Sequence, residues 1–568
     1  MKKILLLIIS VFLIVGCSSQ PQENKKVSFH QYLRQIFVED MENDYLTMHS
    51  SLIHPEKYDI KVKKISFGNI DDKNINYKKR LKTLESYKDS LSGSDKTYYK
   101  ILHRTYEDQV KMDDDKYEYM DNICDPNNSF TENMATSLLE FRFDNENDIK
   151  NYIKLIESGI DYCKQAVAYL KKQSEEGYFM SSRVSSEYLQ SLNKLMTSSW
   201  LVSSFNKRTF SFSLSDEKKE KYGEDVKKAY EKSLYPGFKL VKEAVLKYKN
   251  TSKNASGLSE LKNGKSYFEA RVQSILGVDD SLSQMKEKAI ALAKQSSDYI
   301  QSHLNAELYY KITASKSTGL RTYRSVIQDL LQRYQEDFEK LDHINYEISA
   351  MDQSNASSST LAYYVNPTLD GKETNIIRVN ENSTQSKDSL DAYSTLAHES
   401  IPGHMYQFNY ARMLKRPEIL YTVSYLGYAE GYATYVQDYA YKYAPHIDSD
   451  VKDILLAEQH LQYALVILSM IGIHNDSYSK TDVKRLWSDY QMNLSFTEVS
   501  SLYNQMLDSP FMMCPYYLGY MYIKDIQKNM KSKLGDKYTN KAFNKALVAN
   551  GNVPIALLES TVIDSMEK

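Results

Sequence analysis

The chain has 568 residues, with 72 basic side chains against 74 acidic ones and a formal charge of −2 interspersed along its length. That balance excludes a nucleic-acid-binding face built on a basic excess, and the length exceeds what one core commonly supports, so two or more packed subdomains are expected. Four cysteines, none in a C-x-x-C pair, exclude a disulfide framework and a cysteine metal cluster.

At the start, Lys2 and Lys3 precede an apolar run over residues 4–12, which ends in Leu13-Ile14-Val15-Gly16-Cys17 and gives way to a polar stretch. A membrane span needs about 20 apolar residues, so this run is too short and reads as a bacterial lipoprotein signal over residues 1–16. Cleavage before Cys17, lipidation of Cys17 and a tether over residues 17–27 follow. Loss of the two leader lysines takes the charge from −2 to −4. The mature protein is expected to be lipid-anchored at the cell membrane, on the extracytoplasmic face.

Glycine (19) and proline (11) are scarce and apolar residues recur at helical spacing, so the fold class is mainly α. Residues 148–172, 217–249, 281–304 and 322–351 each show the spacing of a helix with one buried face, and they belong to a helical N-terminal region over residues 28–350. Breaks are expected at 18–26, 249–264 and 352–360, and no internal repeat is visible. The 48 tyrosines are read chiefly as packing residues, whose rings fill helix interfaces while the hydroxyls reach water. Residues 351–568 form the second region. It opens with a short β-hairpin between Leu361 and Asn380, marked by Tyr363-Tyr364-Val365, turn-like Asn366-Pro367 and Asp370-Gly371, and Ile376-Ile377-Arg378-Val379. The hairpin is either structural or a strand edge that holds an extended peptide.

The chemistry centres on His398-Glu399-Ser400-Ile401-Pro402-Gly403-His404, a stretched form of the His-Glu-x-x-His signature, followed by Glu430-Gly431-Tyr432. A hydrolytic metal site needs imidazoles and a carboxylate around a divalent cation with an open position, plus a carboxylate that can take a proton from water. His398, His404 and Glu430 could supply the ligands and Glu399 the base. Residues six apart on a regular helix lie roughly 120° out of alignment, so a straight helix cannot present both histidines to one ion. Pro402 lacks an N–H and Gly403 tolerates unusual dihedrals, so either a bulge returns His404 to His398, or the helix ends near Ile401 and His404 is left behind the ligands or facing substrate. Glu430 can also be read as a helix N-terminal carboxylate.

These residues, with Met405-Tyr406-Gln407, Glu430-Gly431-Tyr432-Ala433, Gly472-Ile473-His474 and Pro515-Tyr516-Tyr517-Leu518-Gly519-Tyr520, resemble the domain of unknown function 885 family, helical proteins grouped with the gluzincin metallopeptidases. Weaker matches extend the resemblance over residues 28–565. It implies one zinc ion on His398, His404 and Glu430, with Glu399 as base, in a large multi-helix fold whose short β-hairpin adjoins the metal-binding helix. Two departures stand out: Tyr432 replaces the family's usual Trp, and Gln437 stands where a Glu often follows.

An oxyanion also needs a donor; Tyr516, Tyr520 and His474 are candidates, each with an alternative reading as a packing aromatic or a loop histidine. Tyr516 and Tyr520, four apart, could share a helical face. His446 and His460 lack carboxylate company at ligand spacing and read as surface or core residues. The function expected is that of a membrane-anchored zinc metallopeptidase with a peptide substrate. The alternatives are a peptide-binding lipoprotein without turnover and a zinc hydrolase of a non-peptide amide.

Overall fold

The computed structural model describes residues 27–567 apart from 72–74, 211, 254–255, 315, 353–359 and 372–373. The signal over 1–16, Cys17 and the tether through Lys26 lie outside the described residues. So does most of the expected break at 352–360.

Helices dominate, and their ends are set by local chemistry. Glu146–Glu176 starts at a capping box on Asn145, where Asp148 reaches back to the cap, and it stops at Gly177 in the left-handed region. Leu282–His303 starts at a capping box on Ser281. It runs along Ser449–Asn475, which is apolar on nearly every side. A helix apolar all round belongs in a core. Ser449–Asn475 is long and apolar enough to cross a membrane, yet 72% of its most apolar window is buried inside the protein. One continuous apolar core joins residues from Phe29 to Val562.

Leu426–Tyr443 crosses Gly519–Leu534 at very short range. Gly427, Gly431 and Gly519 meet there, and a Cβ on Gly431 would come within 2.5 Å of the Gly519 backbone. Only glycine permits this approach.

The stretch 217–249 contains helices Asp216–Ala229 and Tyr235–Tyr248, joined by a wide π turn at Tyr230–Leu234. Pro236, in the first turn of the second helix, has no N–H to continue the ladder. The stretch 322–351 needs a correction. Its helix covers only Tyr323–Arg333 with a short tight turn to Glu336, and the chain then extends into β1, Tyr346–Ala350. Tyr346 and Ile348 alternate with Glu347 and Ser349, the period of a strand. The expected hairpin forms from β2, Ala362–Val365, and β3, Asn375–Val379, which pair antiparallel. β1 joins parallel on the far side of β3, giving the order β1-β3-β2. Arg378 on β3 makes a two-pronged ion pair with Glu140, which also accepts from the Tyr363 hydroxyl, and so ties the sheet to the N-terminal helices.

Candidate metal centre

Ser389 caps helix Leu390–Glu399 through the Ala392 N–H, and His398 and Glu399 occupy its last turn. Residues 400–403 then form a turn that contains a cis Ile401–Pro402 bond, and a new helix, His404–Met413, begins at the second histidine. Three contacts hold the turn. The Gly403 N–H donates to Ala397 O, the Tyr406 N–H to Ser400 O, and the buried Tyr432 hydroxyl to Pro402 O at 3.0 Å. A Cβ on Gly403 would collide with the His398 carbonyl. The helix thus ends just before Ile401, as one reading had it, and the turn nonetheless brings the two imidazoles together, as the other required, ring centres 4.8 Å apart and nearly perpendicular.

Glu430 reaches the pair from Leu426–Tyr443. One carboxylate oxygen lies 3.3 Å from His398 Nε2 and 3.3 Å from His404 Nε2. One ligand atom from each of the three residues can be chosen so that all lie within 4.8 Å of one another. Donors on a single tetrahedral ion with bonds of about 2.0–2.1 Å sit roughly 3.3 Å apart. Both His–Glu separations are therefore of the size a shared ion requires, and the donor chemistry suits zinc.

Burial alone would lower the His404 value, but Glu430 and the more distant Glu399 outweigh it and carry it to about 9. Burial would raise Glu430; the two imidazoles hold it well below the usual carboxylate range. The Tyr516 ring stacks on His398 with centres 6.0 Å apart, and burial followed by Glu430 and Glu399 pushes its phenol far above the ordinary value, so it stays protonated. His398 Nδ1 is buried without a hydrogen-bond partner among the described residues, so packing rather than a second hydrogen bond orients that ring.

Glu399 accepts the Tyr364 N–H at 3.0 Å. Asn380 N–H donates to Leu361 O, and the β2–β3 register then turns the Tyr364 backbone groups away from β3. The outer edge of β2 thus orients Glu399, and the Tyr364 N–H is not free for a peptide. Glu430 and Tyr516 line a cleft of about 550 Å³.

The other two donor candidates lie elsewhere. The Tyr520 hydroxyl contacts Asp438 at 3.1 Å and His460 Nε2 at 2.7 Å. Cys514–Leu518 is a π turn, with Pro515 lacking the N–H a regular ladder needs. The wider turn breaks the face that Tyr516 and Tyr520 would share. His474 is buried at the end of Ser449–Asn475, its Nδ1 accepting from the Leu258 N–H and its Nε2 facing Met506 O, so both ring nitrogens are used. His460 does have a carboxylate partner, Asp438 at 2.8 Å. His446 has a positive φ beside Gly319. Gln437 accepts from the Tyr463 hydroxyl. The Tyr432 hydroxyl, which holds the turn between the histidines, has no signal in sequence spacing.

The fold recurs in two solved structures. One, described as a "putative lipoprotein" from Colwellia psychrerythraea, is 16% identical, covers 95% of this chain and 100% of its own, and superposes with a TM-score of 0.80. Another, a "putative lipoprotein of unknown function" from Shewanella oneidensis, is 13% identical over 94% and 100% of the two chains, with a TM-score of 0.63. At these identities the likeness establishes the fold alone. No curated protein matches the chain. The family model described as "Bacterial protein of unknown function (DUF885)" matches residues 52–562, and the chain belongs to that family.

Proposed function

We propose that the protein is a membrane-anchored, extracytoplasmic zinc-dependent hydrolase of peptide bonds. The observation that carries this reading is the approach of His398 and His404, from the two sides of one turn, to a single Glu430 oxygen at 3.3 Å each. These three residues would hold the ion. When bound, zinc polarises a carbonyl oxygen and lowers the pKa of water to about 7. Glu399, aimed by the Tyr364 N–H, accepts the proton of the attacking water and returns it to the leaving amine. Tyr516, kept neutral by burial, donates to the carbonyl oxygen as negative charge develops there. The Tyr364 carbonyl, on the outer edge of β2 beside Glu399, offers a backbone acceptor to an extended substrate. The leader ending in Cys17 and the two similar structures described as lipoproteins support the anchoring half of the reading.

The test compares wild type with Glu399→Gln, each starting after Cys17, for metal content and cleavage of a mixed-peptide library. Metal in both with cleavage by wild type alone is expected. Metal in both without cleavage would redirect the site to a non-peptide amide or to binding without turnover, and absence of metal from wild type would end the ligand assignment.

A further inference from the structure

Arg271, on helix Gly264–Leu276, lines the same cleft as Glu430 and Tyr516. Among the described residues it is the sole lysine or arginine in that lining. Its five donors make no hydrogen bond among the described residues, and its acidic neighbour Asp121 lies 4.0 Å from Nε. The acids of the cleft have other partners. Asp121 takes the Tyr267 hydroxyl, Asp508 is paired with Arg183, and Asp125 accepts from the Ser509 hydroxyl and the Asn127 N–H. Burial also carries Asp508 to about 7, which weakens its negative field at neutral pH.

Met120, Leu258, Leu426, Phe511 and Met512 supply apolar wall elsewhere in the same cleft. The Arg271 side chain is 38% exposed, so its donors face the water of the cleft, and Asp121 at 4.0 Å balances its charge without taking up its hydrogen bonds. The planar guanidinium fork matches a carboxylate with two parallel N–H···O bonds.

We propose that Arg271 binds a carboxylate of the substrate, either the C-terminal carboxylate of a peptide or an Asp or Glu side chain, and so selects which bond lies against Glu399. The bond-selecting half rests on the peptidase reading above, whereas the carboxylate-binding half does not.

The test uses full-length protein in detergent and three matched hexapeptides: one with a free C-terminus, one amidated, and one amidated with a single internal Glu. Their dissociation constants are measured by calorimetry for Glu399→Gln, for Glu399→Gln with Arg271→Met, and for Glu399→Gln with Arg271→Lys, while hydrolysis is followed with wild type. At least one carboxylate peptide should bind about tenfold more tightly than the neutral one, ~1.4 kcal/mol. Arg271→Met should erase that preference while leaving the neutral peptide bound, which certifies the fold, and Arg271→Lys should keep part of it. The free-terminus and Glu peptides separate the two carboxylate sources. Equal binding of all three peptides, or a preference that survives Arg271→Met, overturns the proposal. A carboxylate preference in Glu399→Gln, with none of the three peptides cleaved by wild type, would count against the peptidase reading and leave Arg271 as the anion-binding residue.

Discussion

Two histidine–carboxylate clusters share the Leu426–Tyr443 helix, about two turns apart, and they differ in what completes them. Asp438 is matched by Lys524 at 3.0 Å, by His460 at 2.8 Å and by the Tyr520 hydroxyl. Its carboxylate is held well below its ordinary range against the cost of burial, Lys524 first and then His460. Glu430 faces two imidazoles and a phenol, with no lysine or arginine in ion-pair contact among the described residues. Both clusters border clefts, of about 720 and 550 Å³. The difference teaches that histidine next to carboxylate is not by itself a metal site. A carboxylate whose charge is already balanced by an ammonium needs no metal, whereas one that faces only converging imidazole edges and a phenol is the arrangement for which the zinc site is proposed.

The sharpest way to break this comparison is a matched pair of substitutions. Glu430→Gln should take metal content, measured by elemental analysis, to background and abolish hydrolysis. Asp438→Asn should leave metal content intact and lower stability by about 1.5–3 kcal/mol, the worth of hydrogen bonds to a charged group, because Lys524 is partly exposed and can be hydrated. Metal loss in both variants would erase the distinction. The tyrosines extend it to catalysis. Tyr516→Phe should lower kcat about 100- to 1,000-fold, ~2.7–4 kcal/mol, the loss typical of one oxyanion donor, with KM and metal content unchanged. Tyr520→Phe should leave kcat alone and cost about 1 kcal/mol in denaturant unfolding for its lost hydrogen bonds.

The clusters also mark how far the sequence could be read. Helices such as Glu146–Glu176 and Leu282–His303 were legible because one face is apolar at a period of 3.6 residues. The strands β2 and β3 were legible from β-branched and aromatic runs set between turn residues. β1 was not, because its alternation is only five residues long and follows an unbroken helical pattern. At the centre, residue types identified His398, Glu399 and Glu430 as candidates, but six-residue spacing left His404 open. The decision lies in Gly403 packing against the His398 carbonyl and in a hydroxyl from Tyr432, 30 residues away. The pairing of Asp438 with His460 was hidden for the same reason: 22 residues separate them, and only the packing of two helices brings them together.

His474 sharpens the contrast between a ligand histidine and a structural one. Burial carries its value from the ordinary 6.5 down to about 4. The unfolded chain gains this proton as pH falls through 6.5, whereas the folded protein resists it until about 4. The stabilisation is therefore whole above 6.5 and is lost progressively on acidification to 4, about 3 kcal/mol in all. His474→Gln can still accept from the Leu258 N–H and donate to Met506 O, so urea unfolding across that window should show a shallower pH slope while metal content holds. An unchanged slope would mean that the ring is not held neutral by burial.

A substitution at the glycine crossing tests what sets the distance between the Glu430 helix and the Tyr516 turn. Gly431 follows Glu430 directly, and Gly519 lies just beyond the π turn that carries Tyr516. A methyl group at 431 would meet backbone atoms of Gly519, which cannot swing aside as a flexible side chain would. Gly431→Ala must then part the two helices, at about 1–3 kcal/mol for overpacking. Because Glu430 moves with its helix, zinc affinity measured by competition with a chelator should fall roughly 10- to 100-fold, the range seen when groups that orient metal ligands are disturbed. A stability loss with unchanged zinc affinity would show that the glycine crossing serves packing alone and that Glu430 is held in place by the histidine turn.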